Sequence, residues 1–215
     1  MSDVRETQAA IGVLISGRGS NLQALIDASR ERRLGAPIRV VVSNRADALG
    51  LDRARAAGIE TIVLPHTQAP DREAYDRALV QVLRERGVTL VCLAGFMRLL
   101  GPAFCEAFPD RVLNIHPSLL PAFPGMRAQA QALRHGVKVS GATVHFVTPA
   151  LDDGPIVLQE AVPVYDDDTE ETLSARILEV EHRIYPEAVR RVLAGGWRVE
   201  GRRVLFASTD SRDER

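Results

Sequence analysis

The sequence is poor in cysteine and carries no surplus of either charge. Its two cysteines, Cys92 in an apolar run and Cys105 in a predicted short helix, make a disulfide scaffold implausible and suit a reducing compartment. Its 27 Lys+Arg against 28 Asp+Glu give a net charge of −1, without the basic excess that binding a phosphate backbone requires. We therefore expect a cytoplasmic protein that does not bind nucleic acid.

Long hydrophobic runs are also missing. The first ten residues, MSDVRETQAA, contain no apolar stretch of the signal-peptide kind, and no run approaches the roughly 18 apolar residues of a membrane helix. Paired His or Cys at metal-ligand spacing do not occur, so no metal site is expected. Secretion, membrane spanning and metal dependence are all disfavoured.

Short apolar runs alternate with helical patterns in the first half of the chain. The runs cover residues 11–16, 38–43, 61–64, 90–95 and 111–115, and the first three helices between them are predicted to begin at the capping residues Asn21, Asp47 and Asp71. Continuous apolar strands that alternate with amphipathic helices indicate a doubly wound, mostly parallel α/β sheet, Rossmann-like in this half.

The second half of the chain no longer alternates short apolar runs with helical patterns. Residues 141–147 and 154–164 read as strands, 168–195 as a long helix capped at Asp168 or Thr169, and 197–206 as a hairpin turning at Glu200-Gly201. We expect one domain over 11–206, divided into a phosphate-binding half (11–110) and a catalytic half (111–206). Residues 1–10 are predicted to be an extension and 207–215 a disordered tail.

A glycine turn, GRGSN (17–21), lies between the first strand and the first helix. Sheets of this kind bind phosphate there, on exposed backbone N–H groups at a helix N-terminus. A dinucleotide fingerprint needs a third glycine, here Leu22, and a later acid, but the second strand ends in Ser-Asn-Arg. A single phosphate fits better, although a tight turn with only a capping role stays open. The residues that would hold it are Gly19, Ser20 and Asn21.

The segment NIHPSLLP (114–121) places an amide and an imidazole at a strand end. Asn114 and His116 are two residues apart, so both point to the same face while the chain is extended. Pro117 restricts His116 to extended backbone conformations, and Pro121 and Pro124 stiffen the loop that follows. Groups held still in this way are suited to stabilise developing negative charge. The histidines at 66, 135 and 182 are interpreted as structural. His145, in the alternating TVHFV, could face the core or the crevice and is also interpreted as structural.

A partner acid for His116 is available in LDDGP (151–155). Asp152 or Asp153 near the imidazole would favour its charged form. That the two aspartates only cap a turn is the open alternative.

Several segments, in order, resemble the folate-dependent formyltransferases, and among them the phosphoribosylglycinamide formyltransferases. They are GRGSNLQALI, SNRADALGLDRA, DREAYDRAL, LAGFMRLL, LNIHPSLLPAFPG, GATVHFVTPALDDGPIVLQ and EHRIYP, within residues 11 to 206. Asn-x-His-Pro-Ser-Leu-Leu-Pro with a later Asp-x-Gly-Pro marks the wider family, and GRGSN followed by LQAL narrows it.

The resemblance implies formyl transfer from 10-formyltetrahydrofolate to the amine of 5′-phosphoribosylglycinamide, in purine biosynthesis, without a metal and in a monomer or weak homodimer. It implies Asn114, His116 and Asp152 as catalytic residues. Gly19, Ser20 and Asn21 would bind the phosphate, and Glu181 the ribose hydroxyls. The implied folate-binding residues are Arg72, Met97, Arg98, Leu99, Leu100, Asn114, Thr148, Pro149, Ala150, Leu151 and Asp152.

Two departures and three alternatives accompany the resemblance. Where the family often continues Leu-His-x-x-Arg after PAFPG, this chain reads Met-Arg-Ala-Gln-Ala (126–130), and Asp153 stands where glycine or threonine is more usual.

A formyltetrahydrofolate deformylase is disfavoured because only about ten residues precede the first strand, where that family carries another domain. A transferase acting on methionyl-tRNA is disfavoured by the absence of an extra C-terminal domain and of basic charge. A non-catalytic nucleotide-binding module is the third alternative.

Overall fold

The apolar runs form the strands of one mixed sheet in the computed structural model, which describes residues 9–207. The strands are Ile11–Ile15 (β1), Ile38–Ser43 (β2), Glu60–Val63 (β3), Leu90–Leu93 (β4), Val112–His116 (β5), Val139–Phe146 (β6), Ile156–Pro163 (β7), Trp197–Glu200 (β8) and Arg203–Phe206 (β9). The helices are Ser20–Arg30 (α1), Gly50–Ala56 (α2), Arg72–Glu85 (α3), Pro102–Ala107 (α4), Ala128–His135 (α5) and Glu170–Ala194 (α6), with a short 3-10 turn at His66–Gln68. The predicted extension and tail lie, for 1–8 and 208–215, outside the described residues.

The sheet order is β3-β2-β1-β4-β5-β6-β7-β9-β8. The strands from β3 to β5 are parallel, β6 and β7 add antiparallel, and the β8–β9 hairpin closes the edge through one parallel bridge to β7. The expected mostly parallel α/β sheet with a long C-terminal helix and a hairpin is confirmed.

Both faces of the sheet are covered, which is why its central strands are apolar throughout. In β1, Val13 packs with α1 and α6, whereas Leu14 points to the opposite face and packs with α3 and α4. Tyr185 anchors α6 to the sheet, because its buried hydroxyl lies 2.9 Å from the Leu93 carbonyl oxygen and 3.1 Å from that of Leu113. These carbonyls belong to β4 and β5, so α6 is fixed to the strands that carry the site.

Two predicted helix starts are wrong. Helix α1 begins at Ser20 after Gly19, whose φ of 73° is left-handed, and Asn21 lies inside the first turn instead of capping it. Helix α2 begins at Gly50, because the side chain of Asp47 pairs with Arg45 instead of capping a helix.

The other predicted caps are present. The Asp71 side chain accepts a hydrogen bond from the Ala74 N–H at 2.7 Å and starts α3. Thr169 starts α6 through a reciprocal capping box with Thr172. Cys105 lies in α4, as expected. Helix α5 was not predicted, since only two alanines of its eight residues are buried and they give no clear apolar stripe.

Candidate active site

Strands β5 and β6, in the middle of the sheet, bring two histidines and an asparagine together near the carboxyl end of β5. In the antiparallel register, Asn114 lies opposite His145, and His116 lies opposite Thr143. The turn between β6 and β7 then brings Asp152 close to His116 and His145. Asp152 has a φ of 49°, a left-handed conformation that Asp tolerates better than most residues.

Asp152 and His116 form a buried pair. An Asp152 carboxylate oxygen, Oδ2, lies 3.4 Å from His116 Nδ1, and the two side chains are 10% and 6% exposed. The same oxygen accepts the Gly125 N–H at 2.8 Å. The other ring nitrogen, Nε2, lies 2.9 Å from the Phe123 carbonyl oxygen. Both nitrogens therefore face acceptors, and only the charged imidazolium can donate to each.

The structure distinguishes the two candidate acids. Asp153 lies outside the site and accepts a hydrogen bond from Arg202 at 2.8 Å, on an exposed surface. The prediction of a carboxylate beside His116 is therefore met by Asp152.

His145, interpreted from the sequence as structural, lies in the candidate site beside Asn114 and lines the crevice, which was the alternative left open. Its Nδ1 lies 2.8 Å from the Phe146 carbonyl oxygen, and its Nε2 lies 3.2 Å from the Asn114 amide nitrogen and 3.8 Å from Asp152 Oδ1. Burial lowers the pKa of His145, which favours a neutral ring. A neutral ring that donates from Nδ1 accepts at Nε2, so His145 fixes the orientation of the Asn114 amide.

A cleft of about 90 Å³ opens beside these groups. Its wall includes Asn114, His145 and Asp152, whereas His116 is not among the described residues that line it and contacts Asp152 from behind the wall. Many of the predicted folate-binding residues share this wall: Arg98, Leu99, Leu100, Thr148, Ala150 and Leu151.

The remaining predicted folate-binding residues lie outside the cleft. Met97 is 71% exposed beside it, and Pro149 is not part of the described wall. Arg72 lines a neighbouring groove with Asp76. Because ligand pockets usually measure roughly 300–1,000 Å³, a ligand of folate size must also cover the exposed rim.

The glycine turn closes tightly against α2. A Cβ added to Gly19 would lie 2.6 Å from the Gly50 Cα, and the Gly50 N–H donates to the Gly17 carbonyl oxygen at 3.0 Å. No side chain of the described residues caps α1. Its first N–H groups are thus left for a ligand, where the helix dipole favours an anion.

Glu181 reaches from α6 to this turn. Its Oε2 accepts a hydrogen bond from the Asn21 side-chain amide at 2.9 Å. Burial raises the pKa of Glu181 to about 7, against a smaller lowering by that hydrogen bond. The other amide atom, Asn21 Oδ1, is buried without a hydrogen-bond partner among the described residues. Asn21 and Glu181 are therefore in contact, and one amide oxygen remains without a partner in this part of the chain.

Within residues 9–207, none of the helices has the length and apolarity needed to cross a bilayer. No group of three or more His, Cys, Asp or Glu side chains in that part of the chain is arranged to hold a metal ion.

Comparison with known proteins identifies relatives over nearly the whole chain. A family model described as formyl transferase matches residues 9–189. Phosphoribosylglycinamide formyltransferase of Escherichia coli (strain K12) is 48% identical over 192 residues, 89% of this chain and 88% of that protein. The human trifunctional purine biosynthetic protein adenosine-3 is 51% identical over 188 residues, 87% of this chain but 19% of that protein. The chain therefore spans between 14% and 21% of the length of the trifunctional relatives it matches.

Solved structures give the same result. Glycinamide ribonucleotide transformylase 1 from Symbiobacterium toebii superposes with a TM-score of 0.92 at 55% identity, covering 97% of this chain and 98% of that one. A formyltetrahydrofolate deformylase from Pseudomonas syringae pv. tomato is more distant, with a TM-score of 0.85 at 27% identity over 94% of this chain and 66% of that one.

Proposed function

Because the chain belongs to the formyl transferase family, we propose that it transfers the formyl group of 10-formyltetrahydrofolate to the amine of 5′-phosphoribosylglycinamide. The products are the formylated ribonucleotide and tetrahydrofolate, and the step belongs to purine biosynthesis. The observation that carries this proposal is the clustering of Asn114, His116 and Asp152 at the cleft, which Asn114 and Asp152 line and behind which His116 contacts Asp152.

Asn114 acts on the formyl oxygen. Attack of the amine on the formyl carbon makes a tetrahedral centre whose oxygen becomes negative. The Asn114 amide has two N–H groups, one of which is directed at His145. The second donates to the oxyanion, and the bond to His145 keeps it aimed there. A donor fixed in this way lowers the barrier without having to reorganise during the reaction.

His116 and Asp152 serve the proton transfer. A bond forms between the substrate nitrogen and the formyl carbon, the bond from that carbon to folate N10 breaks, and one proton passes from the amine to N10. Since both His116 nitrogens are engaged by Phe123 and Asp152, the proton travels through Asp152 or a water bound to it. The imidazolium also adds positive charge close to the oxyanion.

The substrates occupy opposite sides of this centre. Gly19, Ser20 and Asn21 bind the ribonucleotide phosphate at the start of α1. Glu181 binds the ribose hydroxyls, and the buried Asn21 Oδ1 supplies an unused acceptor beside it. The folate lies in the cleft against residues 98–100 and 148–152. Holding both substrates in register removes much of the entropic barrier of a bimolecular step.

The wider role follows from this chemistry. Both partners are small molecules, the enzyme works in the cytoplasm, and it is a monomer or weak homodimer. Neither a metal nor a nucleic acid takes part.

The test measures formyl release from 10-formyltetrahydrofolate by the purified protein, with and without the ribonucleotide. We expect release only when 5′-phosphoribosylglycinamide is present. Release at the same rate without it would show a hydrolase, the alternative that the similarity to a deformylase favours. No release, together with tight binding of the ribonucleotide, would show a non-catalytic binding module.

A further inference from the structure

The segment from Met97 to Gly101 connects β4 to α4 and forms one wall of the cleft. It is irregular, yet only its two ends are held through their N–H groups. The Met97 N–H donates to Ser16 Oγ at 2.8 Å, and the Gly101 N–H donates to Asp76 Oδ2 at 2.6 Å. Among the hydrogen bonds of residues 9–207, none comes from the backbone of residues 98–100.

Ser16 holds the first end from the strand that leads into the glycine turn. It is 6% exposed, and its own N–H donates to the Gly95 carbonyl oxygen at 3.1 Å. Its hydroxyl donates to Asn44 Oδ1 at 2.6 Å. This leaves the hydroxyl oxygen free to accept the Met97 N–H, so Asn44 sets the direction in which Ser16 accepts.

Asp76 holds the second end from α3. It is 1% exposed, and its other carboxylate oxygen has no hydrogen-bond partner among the described residues. Gly101 permits the contact, because a Cβ there would lie 2.8 Å from Asp76 Oδ2. A buried, half-satisfied carboxylate costs stability. The positive charges of Arg72 and Arg98 act favourably on this carboxylate, so Asp76 is linked to the segment through Arg98 as well as through the Gly101 N–H.

We propose that Ser16 and Asp76 are positioning residues, which clamp segment 97–101 at both ends so that the open backbone groups of residues 98–100 meet the folate ring. This inference rests on the proposed function. The clamp also joins the folate wall to the residue that precedes the phosphate turn, and thereby sets the distance between the two substrate sites.

Removing the side chain of either clamping residue, Ser16 or Asp76, should weaken the binding of folate more than that of the ribonucleotide. In Ser16→Ala and in Asp76→Ala, we expect the KM for 10-formyltetrahydrofolate to rise about five- to tenfold, the loss of one net hydrogen bond. The kcat and the KM for the ribonucleotide should change by no more than about twofold. The conservative variants Ser16→Thr and Asp76→Asn retain an accepting oxygen and should restore most of the folate affinity.

Ser140→Ala is the matched control. Ser140 is a buried serine, 2% exposed, whose hydroxyl has no hydrogen-bond partner within the described chain. We expect its folate KM to equal that of the unmodified protein. A loss of thermal stability shared by all variants, with an unchanged folate KM, would mean a structural role only and would overturn the inference. If one of the alanine variants does not fold, the other and its conservative partner decide.

Calorimetric titration with tetrahydrofolate separates this inference from the proposed function, because it needs no turnover. Weaker binding by Ser16→Ala and Asp76→Ala than by Ser140→Ala supports the clamp even where no formyl is transferred. Equal binding by all variants overturns the clamp while the transfer assay stands. If the unmodified protein does not bind tetrahydrofolate, both proposals fail.

Discussion

At the centre of the candidate site, one carboxylate is shared by three groups. Asp152 accepts from Gly125 and faces His116 with one oxygen, and it faces His145 with the other. The two rings differ in what they can do. His116 lies between two oxygen acceptors, whereas His145 is directed at a carbonyl through one nitrogen and at the Asn114 amide through the other. His116 therefore has an acceptor at each ring nitrogen, whereas His145, whose pKa is lowered by burial, supports the Asn114 amide as a neutral ring.

His145→Ala tests this division. We expect kcat to fall about tenfold, because the Asn114 amide loses the hydrogen bond that aims it. The KM values for both substrates should stay within about twofold. His135→Ala is the control, since His135 is exposed on α5, where its ring hydrogen-bonds to the Gln131 carbonyl oxygen and packs beside the Phe123 ring, without contact to Asn114 or Asp152 among the described hydrogen bonds and ion pairs. Steady-state kinetics give the answer, and an unchanged kcat in His145→Ala would return this residue to a purely structural role.

Glu181 makes stability depend on pH. Burial raises the pKa of this carboxyl from 4.5 to about 7, so the folded state binds a proton more tightly than the unfolded state. The resulting stabilisation is complete below pH 4.5 and is lost as the pH rises toward about 7. Urea unfolding of the ligand-free protein and of Glu181→Gln measures it. With rising pH, the free energy of unfolding should fall for the unmodified protein relative to the variant, and parallel pH curves would contradict this.

Some contacts of the candidate site can be predicted from the sequence, and others cannot. The shared face of Asn114 and His116 follows from strand alternation alone, and the predicted pairing of an aspartate with His116 is met by Asp152. His145 could not be assigned, because its contact with Asn114 depends on the register of two antiparallel strands. A sequence fixes which residues alternate, but not which residues stand opposite each other.

Among the elements, α1 and α2 depend on one close contact. Gly19 combines a φ of 73° with a position where a Cβ would meet the Gly50 backbone. Gly58 has a φ of 71° but open space around it. A side chain placed at either position would strain the left-handed backbone. Only at position 19 would it also collide with a neighbouring backbone.

We predict that Gly19→Ala raises the KM for the ribonucleotide at least about tenfold, because the collision displaces the turn whose N–H groups bind the phosphate. Backbone strain alone should lower the free energy of unfolding by about 1 kcal/mol in Gly58→Ala. The KM of Gly58→Ala for the ribonucleotide should stay unchanged. Thermal unfolding and substrate titration together separate the two effects. Equal KM values in both variants would show that the turn does not bind the phosphate.

Helix α6 depends on its first turn. Thr169 accepts from the Thr172 N–H, and the Thr172 hydroxyl accepts from the Thr169 N–H. Thr169→Ala removes half of this box and should lower the free energy of unfolding by about 1 kcal/mol. Kinetic constants should stay unchanged, since Glu181 lies three turns further along. A loss of catalysis without a loss of stability would contradict this assignment.

The elements were predictable to the extent that apolar pattern and capping act locally. The five first strands begin within one residue of their predicted starts, and the caps at Asp71 and Thr169 are correct. Asn21 and Asp47 are equally good caps by residue type, but the first is drawn to Glu181 and the second to Arg45. Tertiary partners decide between equivalent local choices, and a sequence does not show them.

For the whole molecule, the order of the strands explains why the site exists. Strand β1 lies beside β4, which lies beside β5. The carboxyl ends of these strands carry the glycine turn, segment 97–101 and His116. The strand order reverses between β1 and β4, the place where sheets of this kind open a crevice for ligands. Segments that lie far apart in the sequence thus become neighbours.

The central claim is that Asn114, His116 and Asp152 act together on the formyl group, and single-turnover transfer with both substrates saturating tests it most directly. For Asn114→Ala and His116→Ala, we predict rates about 10²- to 10³-fold below that of the unmodified protein. The dissociation constants of both substrates should stay within a factor of about three of those of the unmodified protein. The control variant His135→Ala should be fully active. Rates above about a tenth of the unmodified rate in both variants, with intact folding, would contradict the account.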